Sequence, residues 1–240
     1  MKKAFTLAEV LITLGIIGVV AALTLPAVIQ NYQKRSLEVA TKKFYSVITQ
    51  AVKQYMTDEG IDDLRGSSLS VSDDDSDEIA DAKNDEFFKK YLNAQICEDG
   101  CFADNYKTQS GDISYIIGKS AEYGADAIIG HYLLPDGMVV DTYSYFFEDT
   151  YPGDLYVDVN GKKGPNKIGY DLWSMSIFYD GVIDEGTLTP ECRKKDFCTG
   201  ISDAYTPKKV RDAKFYNCKS GNSYGGCFGH FLENGFKFDY

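Results

Sequence analysis

A single carboxylate, Glu9, stands at the head of an otherwise uncharged apolar run from Val10 to Ile29 in the opening MKKAFTLAEVLITLGIIGVVAALTLPAVIQ. A charge at the centre of a membrane helix costs about 2.5 to 3.5 kcal/mol on insertion scales, so a lone carboxylate beside a span calls for a partner. A second set of oxygens, Asp158, Asn160 and Asp171, lies in VDVNGKKGPNKIGYDLW and has the chemistry to hold Ca2+. Its spacing is not that of an EF-hand, because Gly161 comes too early and Gly169 stands where the bidentate acid belongs. A long hairpin loop whose Asn and Asp side chains satisfy backbone groups is therefore the preferred reading, with calcium as the sharper alternative.

The catalytic patterns in the sequence fail on their context. Gly221-Asn222-Ser223-Tyr224-Gly225 matches a nucleophile elbow by letter, but a polar KSGN precedes Ser223 where a buried strand belongs, and His230 comes before Asp239. Gly118-Lys119-Ser120 echoes a phosphate loop, yet Ile113 occupies the place of its first glycine. The two histidines, His131 and His230, would need cysteines to complete a zinc centre. No spacing among the acids singles out a glycosidase dyad. No catalytic residue is assigned, and the chain reads as a non-enzyme.

Six cysteines, at 97, 101, 192, 198, 218 and 227, fall into three local pairs, none of them a CxxC. Behind an export signal such a set favours disulfides over metal, and proximity favours Cys97 with Cys101, Cys192 with Cys198, and Cys218 with Cys227. A net charge of -11 argues against sequence-independent wrapping of nucleic acid, which needs a basic footprint. Arg193, Lys194 and Lys195 form a local basic cluster that reads as a solvated loop.

The elements that must position these groups begin with a helix. Val10 to Ile29 would reach about 30 Å, the thickness of a hydrocarbon core. An ordinary secretory signal, with Lys2 and Lys3 as its basic region and Val20-Ala21-Ala22 as its cleavage zone, is the competing reading. The run is too long for that, and helical patterning continues beyond it. Leu37, Ala40, Phe44, Val47, Ile48, Ala51, Val52 and Tyr55 recur at three- and four-residue steps, opposite Lys34, Arg35, Glu38, Lys42, Lys43 and Lys53. Phe5 to about Met56 thus reads as one helix about 80 Å long, with a membrane half (5–29) and an amphipathic half (30–57). Pro26 should kink or loosen it, helped by Gly15 and Gly18.

An acidic stretch, 58–86, reads as a mobile loop, with Asp73 to Asp75 consecutive. EFFKKYLNAQI follows as a short helix ending near Cys97. From residue 113, ISYII, AIIGHYLL, MVVDTYSYFF, DLYVDV and LWSMSIFY read as strands of an antiparallel meander, with turns at Pro135-Asp136-Gly137 and Asp180-Gly181. The sheet needs a cover, which the amphipathic half of the first helix supplies. The expectation is an α+β chain with a head spanning 87–240 and a cysteine-rich edge that closes with Asn234-Gly235 as a helix stop or turn.

KKAFTLAEVLITLGIIGVVAALTLP resembles the N-terminus of type IV pilins and type II secretion pseudopilins. The shared features, in register over about the first 30 residues, are a basic leader, a small residue, Phe, a Glu four residues later, and an apolar helix with a proline. The resemblance implies a leader at 1–4, cleavage between Ala4 and Phe5 by a prepilin peptidase, and methylation of the new amine of Phe5. The family usually has Gly where this chain has Ala4. It further implies that Glu9 of an incoming subunit meets the Phe5 amine of a neighbour, that the helix between Gly18 and Pro26 can partly unwind on assembly, and that the head is pilin-like. Partners implied are other pilin subunits, assembly-platform membrane proteins, indirectly an assembly ATPase, and membrane lipid. The precursor would cross the cytoplasmic membrane once with its head outside, and then enter a periplasmic or surface filament. The alternatives are a minor pilin with a ligand-binding tip, for adhesion or DNA uptake, and a membrane-anchored exported enzyme.

Overall fold

The computed structural model describes residues 6–70, 75–97, 101–103, 105–111, 113–114, 130–142, 153–195, 198, 206–221 and 225–240. The leader, the Ala4–Phe5 bond, Asp73 and Asp74, Lys119, Ser120 and Ser223 lie outside them.

Helix α1 runs from Leu7 to Glu59, 53 residues without interruption. Thr6 caps its start, and Gly60 ends it at φ 67°, a left-handed conformation that a residue without a Cβ adopts freely. Pro26 lies inside, where its missing N–H deletes one rung of the ladder without ending the helix. The stretch from Gly18 to Pro26 is therefore wound in the single chain. The large apolar side chains from Leu7 to Ile29 are all exposed. Among the described residues this is the one helix long and apolar enough to cross a membrane. From Leu37 onward the same helix becomes one-sided, burying Leu37, Thr41, Phe44, Ile48, Ala51, Val52 and Tyr55.

The remaining elements build the head. They are α2 (Asp77–Leu92), β1 (Gln95–Ile96), β2 (Tyr106–Lys107), β3 (Ile113–Ser114), β4 (Gly130–Leu133), β5 (Val139–Thr142), β6 (Gly153–Asp158), β7 (Leu172–Ile177), β8 (Ile183–Asp184), α3 (Pro190–Lys195), α4 (Pro207–Lys219) and α5 (Cys227–Glu233). Six strands form an antiparallel sheet in the order β1-β4-β5-β6-β7-β8, a meander from β4 to β8 with β1 added at one edge. Strands β2 and β3 form a separate pair.

Register places Tyr132, Val140, Val157 and Trp173 in one row across the sheet, with Thr142, Leu155 and Met175 beside it on the same face. All of these but Thr142 share one core with Phe44, Ile48 and Val52 of α1, Phe87 and Phe88 of α2, and Phe228 and Phe231 of α5. Each such side chain contributes about 1.5 to 3 kcal/mol by leaving water. The α+β layout of a long helix on an antiparallel sheet is thus present. At the Asp180-Gly181 turn, Gly181 (φ 73°) passes so close to α1 that a Cβ would lie 2.6 Å from Met56 Sδ.

The stretch 58–86 is not one loop. Leu64 and Leu69 are buried, the Leu64 amide donates to the Tyr179 carbonyl, and α2 already begins at Asp77. Its buried stripe, Ala80, Asn84, Phe87 and Phe88, has helical spacing, and the acids lie on the other side where they leave the pattern intact. Helix α2 stops at Leu92 because Asn93 turns left-handed, and Gln95–Ile96 becomes an edge strand in place of the continued helix. Among the described residues, the region from Pro190 onward carries three helices.

Candidate functional site

The chemistry-bearing end of α1 is built by its own first turn. The Thr6 amide and hydroxyl both donate to Glu9 Oε2 at 2.8 Å, and the Glu9 amide donates to Thr6 Oγ1 at 3.3 Å. This reciprocal capping box satisfies donors that a helix start leaves open. Glu9 is therefore not a lone carboxylate in the single chain: its partner is Thr6, a residue that the T-x-x-E spacing could have revealed. Both bonds fall on Oε2; among the described residues none falls on Oε1. Beyond Glu9 the helix presents Val10, Leu14, Ile17 and Leu25 to its surroundings, and Pro26 lines a shallow apolar hollow with Ala22, Leu25 and Ile29.

The opposite half of α1 is fastened to the head by the chain's last residues. Buried Glu38 accepts from Lys237 Nζ at 2.7 Å and from the Phe238 amide at 3.0 Å. Lys34 Nζ and the Tyr170 hydroxyl both donate to the Tyr240 carbonyl, and Tyr240 donates back to the Gly169 carbonyl. Phe238 stacks on Tyr170 with ring centroids 4.9 Å apart. The sequence pattern placed Glu38 on the polar face of the helix and offered no sign of this latch, whose partners are about 200 residues away.

Asp158 and Asp171 bracket the 159–170 loop. Asp158 accepts from the Tyr106 hydroxyl at 2.5 Å and from the Asn160 amide at 3.0 Å, and Asp171 accepts from the amides of Asn166 and Lys167 at 2.7 and 2.6 Å. Asn160 turns its amide group to the Gly164 carbonyl. These bonds organise the backbone of the loop. Among the described residues no group of three His, Cys, Asp or Glu side chains is arranged to hold a metal ion. Burial pushes Asp158 up to about 7, against the Tyr106 hydrogen bond that lowers it. Burial also pushes Asp171 up to about 6, against the Lys167 and Asn166 amides.

The other candidate groups serve the fold. His131 and Asp141 face each other across β4 and β5, Nδ1 to Oδ1, and burial holds the Asp141 carboxyl above its ordinary range. His230 lies 2.9 Å from Asp239 and stacks on Phe215. Arg193 does not belong to a solvated loop: it sits on α3, donates to the Leu188 carbonyl and to Asp180, and lies over the Phe178 ring. Arg211 forks onto Asp184 at 2.8 and 2.6 Å and also reaches the Gly229 carbonyl, fixing α4 to β8 and α5.

The cysteines are bonded Cys97–Cys101, Cys192–Cys198 and Cys218–Cys227, the pairs that chain proximity favours. The last ties the end of α4 to the start of α5.

A family model described as a family of unknown function (DUF6613) matches residues 27–117, less than half of the chain. The match begins at Ala27, within the last three residues of the apolar run, and takes in the amphipathic half of α1, α2 and the strands to β3. No curated protein and no solved structure matches the chain.

Proposed function

We propose that this chain is a non-enzymatic structural subunit of a type IV filament or type II secretion pseudopilus, anchored by the first half of α1 and assembled through it. One observation carries the reading: a single unbroken helix whose first half exposes every large apolar side chain and whose second half is the spine of a disulfide-tied α+β head. A helix apolar all round is stable only in lipid or against other helices, and one molecule supplies both settings in turn as it leaves the membrane for a polymer.

In this reading a prepilin peptidase cuts between Ala4 and Phe5, and the methylated amine of Phe5 is the cation that meets Glu9 of a neighbour. The capping box refines the energetics. Glu9 is already held by Thr6, so docking does not rescue a bare charge; it adds a cation at the open Oε1. At low dielectric that attraction is far stronger than in water.

N-terminal sequencing and mass spectrometry of the envelope form test the reading. The expected first residue is N-methylated Phe5, and Glu9→Ala is expected to abolish polymer incorporation while leaving membrane insertion intact. A polymer whose subunits still begin at Met1, or a mature chain starting near Ala22, would overturn it.

A further inference from the structure

Helices α2 and α4 lie at opposite edges of the six-stranded sheet. Helix α2 packs on β1 and β4, whereas α4 packs on α5 and is tied to β8 by Arg211. Five inter-strand steps of about 4.8 Å separate these edges by about 24 Å.

The two edges carry opposite charge. Helix α4 holds Lys208, Lys209, Arg211, Lys214 and Lys219 against one carboxylate, Asp212, in a chain of net charge -11. Arg211 points inward to Asp184 and Lys208 is held by Asp212, but exposed Lys209 and Lys219 form no ion pair among the described residues. Tyr216, 71% exposed, lies between them on the same face, seven residues from Lys209 and three from Lys219. At the other edge Glu78 and Glu86 of α2 are exposed and form no salt bridge among the described residues, and Ile79 is 44% exposed, seven residues from Glu86. Of the nearby cations, Lys89 is engaged by Asp85 at 2.9 Å, and Lys90, four residues from Glu86, lies over the Tyr91 ring at 4.9 Å from its centroid.

We propose that the exposed face of α4 docks on the α2 edge of a second copy of this chain, the two helices antiparallel. The spacing sets the register. Seven helical residues span about 10.5 Å, so Tyr216 seated on Ile79 brings Lys209 to Glu86 and turns Lys219 toward Glu78. An exposed aromatic ring on an aliphatic side chain, flanked by opposite charges, has the make-up of an interface anchor with a polar rim. Because the two surfaces differ, the contact is heterologous: it repeats from copy to copy, gives an open filament where its rotation does not close, and does not form a two-fold dimer. The inference rests on the filament reading and adds to it a contact between heads.

Charge reversal tests it in the full chain in detergent micelles. One variant carries Lys209→Glu and Lys219→Glu, the other Glu78→Lys and Glu86→Lys, and association is followed by sedimentation velocity. Each variant alone is expected to associate at least about tenfold more weakly than the parent chain, and a mixture of the two to recover association, since each then offers what the other lacks. Raising NaCl to 0.5 M should weaken the parent chain as well, as the Debye length shrinks. Unchanged association of either variant, or no recovery on mixing, overturns the contact. So does a labelled oligonucleotide that binds the parent chain and is lost with the α4 reversal while association is unaffected. Subunits that still begin with methylated Phe5 and still require Glu9, yet ignore both reversals, remove the head contact alone. Polymers that begin at Met1 remove the filament reading itself.

Discussion

Replacing Glu38 by alanine should loosen the head from its spine. Glu38 is 9% exposed and accepts two bonds, one from the Phe238 amide at 3.0 Å and one from Lys237 Nζ at 2.7 Å. A hydrogen bond to a charged group contributes about 1.5 to 3 kcal/mol, whereas the Lys237 pair, whose lysine is 66% exposed, belongs with surface ion pairs at about 0.2 to 1 kcal/mol. Glu38→Ala should therefore cost about 2 to 3 kcal/mol, a fall in melting temperature of about 5 to 10 °C at this chain length. Glu38→Gln keeps an acceptor for the Phe238 amide and loses the ion pair, so it should recover roughly half of that loss. The chain's one tryptophan reports the event directly, because Trp173 lies 6.1 Å from the Phe238 ring. Its emission should shift to longer wavelength well below the global transition in Glu38→Ala, and earlier still when residues 238–240 are deleted. A Glu38→Ala protein that melts within 1 °C of the parent, with unchanged tryptophan emission, would refute the assignment of the C-terminal residues as the latch.

Stability should depend on pH through the loop carboxylates. With Asp158 at about 7 and Asp171 at about 6 in the fold, against about 3.9 when unfolded, the folded state keeps protons that the unfolded chain releases. Stability is then lost as pH rises through 6 and 7, and urea midpoints should correspond to roughly 2 to 4 kcal/mol less at pH 8 than at pH 5. Asp158→Asn should flatten that slope. Calcium should leave the melting temperature unchanged, since the amides and Tyr106 already occupy the carboxylate oxygens of Asp158 and Asp171; a calcium-dependent rise abolished by Asp171→Ala would restore the cation reading. Replacing Cys218 and Cys227 by serine opens a short loop and should cost about 2.5 kcal/mol, measured by thermal melting beside a mass spectrum that retains the other two bridges. Thr6→Ala should cost the start of α1 about 1 kcal/mol, visible as faster amide exchange over its first turn.

Local information in the sequence determined the parts of this protein that rest on local physics. Twenty uncharged apolar residues and the i, i+3, i+4 stripe from Leu37 to Tyr55 specify one long helix in two environments. Beta-branched and aromatic runs separated by turn residues specify an antiparallel sheet, and close pairs of cysteines have few other partners within reach. The readings that failed depended on partners distant in the chain. Leu64 and Leu69 look like loop residues until Tyr179 and Tyr55 are folded against them, and Arg193 looks solvated until Asp180 and Phe178 come under it. Glu38 belongs to the polar face of a helix by period, and only the return of the last residues of the chain encloses it. The opposite charges of α2 and α4 are visible as letters, but their placement at opposite edges of one sheet is not, because strand order is set by long-range pairing and not by neighbours in the chain. The sequence by itself determined the long two-part helix, its membrane-compatible half and the central strands of the meander; the tertiary structure alone decided which charges are sheltered and which face outward, since burial is a property of what arrives from elsewhere.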